Sequence, residues 1–92
     1  MAFYVYMLKT VRPYKHKTYV GFTNNISLRL NKHNSNKGAK STKGYKWKVI
    51  YKRYFQDKSK ALSYEYKLKN DRKKRLKILN EFKKKYYYNS SV

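Results

Sequence analysis

The sequence predicts an α+β fold: a small three-stranded antiparallel sheet flanked by helices, in the order β-β-α-β-α-α. Three observations carry this expectation. Residues 3–8, 17–22 and 46–55 are short, rich in Val, Ile, Tyr and Phe, and alternate with period two. The segments after the second and third of these begin with capping residues and repeat their apolar positions at helical spacing. The chain has 92 residues, which is one domain at most, so all these elements must share one modest core.

In residues 3–8, Phe3, Val5 and Met7 face one way and Tyr4, Tyr6 and Leu8 the other, which reads as a strand. Residues 9–16 contain Pro13 and form a connection. Residues 17–22 read as the second strand of an antiparallel hairpin, with Gly21 marking a bulge or a close backbone approach. Thr23-Asn24-Asn25 supplies N-cap chemistry for a helix over about 25–35, with Ile26 and Leu30 on one face and Leu28 beside it. The polar stretch 35–45 is a basic loop, and 46–55 is a third strand in which Trp47, Val49 and Tyr51 alternate with Lys48, Ile50 and Lys52. Ser59 is expected to cap a helix over about 59–69 whose packing stripe is Leu62 and Tyr66, with Leu68 a further candidate. Asn70-Asp71 is expected to cap another over 71–84 that packs through Leu76, Leu79 and Phe82. Residues 1–85 form the domain, and 86–92 read as a disordered tail.

Composition narrows the function. Twenty-five Lys and Arg face four acids, Asp57, Glu65, Asp71 and Glu81, for a net charge of +21. Such a balance calls for a polyanionic partner, nucleic acid before an anionic membrane surface. Abundant Lys, Asn and Tyr are also what an AT-rich genome would encode, but that bias would raise Glu together with Lys, and Glu is scarce. With no cysteine there are no disulfides and no thiolate metal sites, and His16 and His33 alone make no structural zinc centre. No apolar run reaches membrane-spanning length and the N-terminus lacks a signal-peptide pattern, so the expectation is a soluble, intracellular protein.

The residues able to carry chemistry are few. Two-metal nucleases hold their ions with carboxylate clusters, which four acids can hardly build. A single Mg²⁺ (or Mn²⁺) held by one carboxylate, water and phosphate is compatible with this chain. Glu65 is the acid that stands out, mid-helix between Tyr64 and Tyr66; its plain alternative is a salt bridge to a nearby lysine. Arg29 is one of only five arginines, and its planar fork suits a phosphate, although a surface arginine on a basic helix is equally compatible. His33, one turn on, is a candidate proton acceptor or a partly exposed helix histidine. Tyr4, Tyr6 and Tyr19 pose a question. Each places a hydroxyl inside an apolar strand, where it must find a partner. Lys40, Lys43 and Lys69 read as contacts to a phosphate backbone, or as solvated charge.

The pair Tyr4-Val5-Tyr6 and Tyr19-Val20-Gly21 resembles the motifs that name the GIY-YIG nuclease family. Arg29 and His33 follow at the family's helix spacing. The run Gly38-Ala-Lys-Ser-Thr-Lys-Gly-Tyr-Lys-Trp47 and the helix Ala61-Leu-Ser-Tyr-Glu65 with Leu68-Lys69 are similar to its small single-domain branch, which includes the Slx-type structure-selective nucleases. The resemblance covers about residues 3–80. It departs in the first triplet, where Tyr4 replaces a glycine, and no cysteine-rich or separate DNA-binding domain accompanies it. It implies an endonuclease that hydrolyses DNA to 5′-phosphate and 3′-hydroxyl ends. Tyr6, Tyr19, Arg29, His33 and Glu65 would be catalytic, Glu65 would hold the metal, and Tyr4, Lys40, Lys43 and Lys69 would contact DNA. A bare module of this kind leaves targeting to a homodimer or another protein. The competing reading is a basic DNA-binding module without catalysis.

Overall fold

The computed structural model describes residues 2–90. The elements are β1 (Phe3–Thr10), β2 (Thr18–Thr23), α1 (Ile26–Asn34), a 3₁₀ turn (Lys40–Thr42), β3 (Trp47–Phe55), α2 (Lys58–Lys69) and α3 (Arg72–Ser90). The strands form one antiparallel sheet in the order β2-β1-β3, so the expected architecture is the one observed.

The sheet is covered on both faces, and the alternation of β1 explains how. Val5 and Met7 join Val20, Ala61, Leu68 and Ile78 in the core under α2 and α3. Tyr6 and Leu8 point the other way and join Trp47, with Tyr19, Ile26 and Leu30 packed around them, under α1. Residues 5–8 are all buried, as a central strand apolar on both sides should be.

Several local expectations change. The alternation of β3 breaks at a bulge: Met7 pairs with Tyr51 and Leu8 with Val49, so Ile50 is extra. Ile50 and Tyr51 therefore both pack toward α2 and α3. Asp57, not Ser59, caps α2, its carboxylate accepting the Ser59 amide at 2.9 Å, which starts the helix at Lys58. The inward stripe of α2 is Ala61, Tyr64, Glu65 and Leu68, while Leu62 and Tyr66 are exposed. The small Ala61, wholly buried, lets the helix lie close to the sheet, and Tyr64 reaches the Tyr51 hydroxyl at 2.7 Å. In α3, Ile78 and Leu79 are buried and Leu76 is exposed. Asp71 caps α3 as expected, accepting the Lys74 amide at 3.0 Å. Residues 86–90, read from the sequence as the start of a tail, continue α3, because nothing from 72 to 90 is Gly or Pro to end it. The rest of the expected tail, 91–92, lies outside the described residues.

Candidate active site

The site forms where β1, β2 and α1 meet. Tyr6 is opposite Gly21 in the β1–β2 ladder, and Tyr19 lies one alternation away on the same face. The glycine is needed there. A Cβ at position 21 would stand 2.5 Å from Tyr6 Cζ and 2.9 Å from Tyr19 Cε2, and nearer still to the Tyr6 hydroxyl. Of the sequence alternatives, the close approach is the one realised; the bulge is in β3. α1 begins on Asn25, whose side chain accepts the Leu28 amide at 3.0 Å. The helix then brings Arg29 and His33, one turn apart, over the two tyrosines.

His33 is fully buried, not partly exposed. Its Nε2 is 2.8 Å from the Tyr6 hydroxyl and its Nδ1 is 3.0 Å from Thr42 Oγ1. Proton bookkeeping fixes the directions. Thr42 spends its one hydroxyl proton on the Ala39 carbonyl at 2.8 Å. It must therefore accept from His33 Nδ1–H, which leaves Nε2 as an acceptor for the Tyr6 O–H. Burial, then the charge of Arg29, hold the His33 pKa below its ordinary value, consistent with this neutral tautomer.

Burial likewise pushes the Tyr6 phenol up to about 12, against the opposing effect of Arg29, so Tyr6 keeps its proton near neutral pH. The guanidinium of Arg29 faces both phenols. Its bond to Tyr6 is the main reason its own pKa is raised, with smaller contributions from Tyr19. Tyr19 is only partly buried, its ring 5.0 Å from the His33 ring and 6.5 Å from Trp47. His33 thus bonds to Tyr6 rather than sharing a proton directly with Tyr19.

The basic loop 35–45 is tied down at several points. Thr42 is fully buried against His33, and its carbonyl accepts the Trp47 indole N–H at 3.1 Å. Gly38 lies so close over His33 that a Cβ would be 3.0 Å from both Cα and Cε1 of that residue. Asn34 clasps the backbone of Trp47 through its amide, at 2.7 Å to N and 3.1 Å to O. With Thr42 turned in, Lys40 and Lys43 on either side of it are exposed. Asn34 had no role in the sequence reading, and Gly38 and Thr42 entered it only as part of the basic run 38–47 and not as supports of His33. The available signal was a lone threonine between two lysines in a loop that ends in tryptophan.

Glu65 lies on α2, outside the cluster of β1, β2 and α1, and acts on it through its charge. Its side chain is 17 % exposed, and its charge adds to the raised pKa of Tyr6. It also pairs with Lys69 one turn on, at 3.3 Å, so the salt-bridge alternative is realised and Lys69 is engaged with the acid. Among the described residues no three His, Asp or Glu gather into a metal cage. One carboxylate suits a hydrated Mg²⁺ shared with a phosphate and does not suit a protein-enclosed zinc. Tyr4 is half-buried and packs edge-on against Tyr54, 5.8 Å between centroids. Beyond Arg29 a cleft of about 340 Å³ opens, bordered by Asn24, Asn25, Leu28, Lys32 and Lys58.

The buried histidine makes stability depend on pH. An unfolded histidine binds its proton near 6.5, whereas folded His33 binds it only below that. Below about 6.5 the unfolded chain therefore holds more protons, and stability falls as pH falls through the folded pKa. The melting temperature is expected to drop from pH 7 to 5.5, and to drop less in His33→Gln. Equal slopes in the two proteins would show that His33 is not the titrating group.

A family model described as "GIY-YIG catalytic domain" matches residues 2–80. The chain belongs to the GIY-YIG family, a family of nucleases. Among its relatives, it is 38 % identical over 80 residues to UPF0213 protein SH2523 of Staphylococcus haemolyticus, covering 85 % of this chain and 94 % of that protein. It is 40 % identical over 78 residues to UPF0213 protein OB0043 of Oceanobacillus iheyensis, covering 83 % and 87 % respectively. A solution NMR structure of UPF0213 protein BH0048 from Bacillus halodurans is 31 % identical, covers 87 % of this chain and 84 % of its own, and superposes with a TM-score of 0.46. Among the described residues no helix is long and apolar enough to cross a membrane.

Proposed function

We propose that this protein is a metal-dependent endonuclease that hydrolyses DNA phosphodiester bonds, leaving 5′-phosphate and 3′-hydroxyl ends. The observation that carries the reading is the juxtaposition of Arg29 with the two phenols Tyr6 and Tyr19 over a buried histidine. A structural core would not need an arginine there. An arginine held by the protonated Tyr6 hydroxyl has a fixed direction for a phosphate.

The roles follow from accessibility. Tyr19, the more exposed phenol, meets the attacking water and orients it. Arg29 stabilises the charge that develops on the phosphoryl oxygens. Tyr6 is 1 % exposed and commits its proton to His33, so its oxygen is fixed as an acceptor facing Arg29. His33 fixes Tyr6 through this bond, and the proton that leaves the water beside Tyr19 goes to bulk solvent. Glu65 would hold a single divalent ion, Mg²⁺ or Mn²⁺, which when bound supplies Lewis-acid stabilisation of the phosphate. Lys40 and Lys43, exposed beside the site, and Tyr4 at its edge contact the DNA. Lys69 tunes Glu65 in the resting protein and is free to move to a phosphate when a metal takes its place.

The Glu65–Lys69 pair also favours a second reading, a DNA-binding module whose carboxylate is used structurally. Cleavage of end-labelled linear, flapped and four-way DNA, with Mg²⁺ and with EDTA, separates the two. Products with 5′-phosphate and 3′-hydroxyl ends are expected only with metal. Tight binding with no cleavage of any substrate would favour the second reading.

A further inference from the structure

The cleft beside Arg29 opens at the end of the sheet where β1 begins and β2 ends, between the first turns of α1 and α2. Its volume of about 340 Å³ is at the small end of the range for small-molecule sites. Its walls are of two kinds. One is apolar, made by Phe3, Phe22 and Leu28. The two phenylalanine rings stack on each other, 5.8 Å between centroids and 13° from parallel, and both are half-buried. Leu28 is 54 % exposed, so its apolar surface is available at the rim. The other wall is basic, made by Arg29, Lys32 and Lys58, and none of the residues that border the cleft is acidic. Asn24 also borders it. The side-chain amide of Asn24 makes no hydrogen bond among the described residues, whereas the side chain of its neighbour Asn25 is spent on the cap of α1.

Cations alone call for a phosphate. Phenylalanine rings, a leucine and an uncommitted amide beside them call for a group that is apolar on its faces and polar at its edge. A nucleobase has this character, and its edge carries the donor and acceptor that an amide meets in pairs. A phosphate on Arg29 is joined to its base through one sugar, so a single nucleotide spans the guanidinium and the cleft. In a duplex that base lies in the stack, so it reaches the cleft only when turned out. We propose that the cleft is a nucleobase pocket, which takes the base of the nucleotide whose phosphate Arg29 holds. The base lies against Leu28 and the phenylalanine pair, and Asn24 meets its polar edge. The choice of the bond that is cut then depends on a base as well as on the backbone. This rests on the phosphate reading of Arg29, and the measurements below separate the two.

Nuclear magnetic resonance titrations without metal test it, using thymidine 5′-phosphate and deoxyribose 5-phosphate, which carries the same charge and no base. Both probes are expected to shift the Arg29 side-chain N–H. Only the nucleotide should shift the Asn24 side-chain amide and the Leu28 methyls, and it should bind about tenfold tighter, the usual scale of one stacked base. A short strand of thymidines is expected to give the same Asn24 and Leu28 shifts. In Asn24→Ala/Leu28→Ala the advantage of the nucleotide over the sugar phosphate should fall to near one. Ser27→Ala, an exposed neighbour that does not border the cleft, should keep it. Melting curves confirm that both variants are folded. Equal binding of nucleotide and sugar phosphate, or the same advantage in all three proteins, would overturn the pocket and leave the Arg29 reading standing. Shifts with the nucleotide but none with the strand would also overturn it, by making the occupant a free nucleotide. No shift at Arg29 with any probe would overturn the pocket and the Arg29 reading together.

Discussion

Replacing Arg29 with alanine is expected to slow DNA cleavage by roughly 10²–10³-fold, the usual cost of losing one positioned donor to transition-state charge. The guanidinium of Arg29 faces both phenols of the site. It is held on the protein side by the protonated Tyr6 hydroxyl, which gives it a fixed direction. Affinity should change far less, because binding draws on many of the 25 basic residues while the reaction draws on this one. The same substitution should relieve the pKa depression of His33, since Arg29 is the second cause of it. Single-turnover rates and titrations of the uncut complex in EDTA separate these effects. A loss divided equally between affinity and rate would mean that Arg29 is an ordinary backbone contact.

Replacing Gly21 with alanine is expected to damage both stability and catalysis. The added methyl meets Tyr6 Cζ at 2.5 Å and Tyr19 Cε2 at 2.9 Å, distances at which something must shift. Both are ring atoms of residues packed against the Trp47 core, so neither is the loose end of a flexible chain. Overpacking of this kind costs about 1–3 kcal/mol. For a domain of this size that is a fall of about 4–20 °C in melting temperature. The catalytic loss should exceed what partial unfolding explains, because tilting Tyr6 stretches its 2.8 Å bond to His33 and moves the oxygen that Arg29 faces. Cleavage measured well below the variant's melting temperature isolates that part. A variant that melts with the native protein and cuts as fast would show that the β1–β2 approach can yield.

These two residues illustrate what was legible in the sequence. Arg29 and Gly21 stood out because each is rare in this chain and placed at a definite spacing from a tyrosine. The strands and helices were legible because period and cap residues are local properties. The inward face of α2 was not. Of the residues read as its stripe only Leu68 turns inward; Leu62 and Tyr66 are exposed and the sheet selects Ala61 instead, since a small residue allows close approach and Tyr64 finds its partner on β3. The bulge at Ile50 was hidden because Trp47–Lys52 alternates well on paper and the register is set by β1. His33 was weighed as a partly exposed histidine because the residue that accounts for its burial, Thr42, lies nine positions away in a loop. The question of the strand tyrosines divides in two. Tyr6 has its hydroxyl at a buried partner, whereas Tyr19 turns a partly open ring toward the same site.

The proposal that the Tyr6–His33–Arg29 arrangement serves hydrolysis is tested most directly by running the cleavage assay on the native protein and on Glu65→Ala side by side, with Mg²⁺ and with EDTA. The native protein should cut only with metal, and the variant should bind DNA with similar affinity and leave it intact. Cleavage by Glu65→Ala at the native rate, or cleavage by the native protein in EDTA, would contradict a reaction built on this one carboxylate.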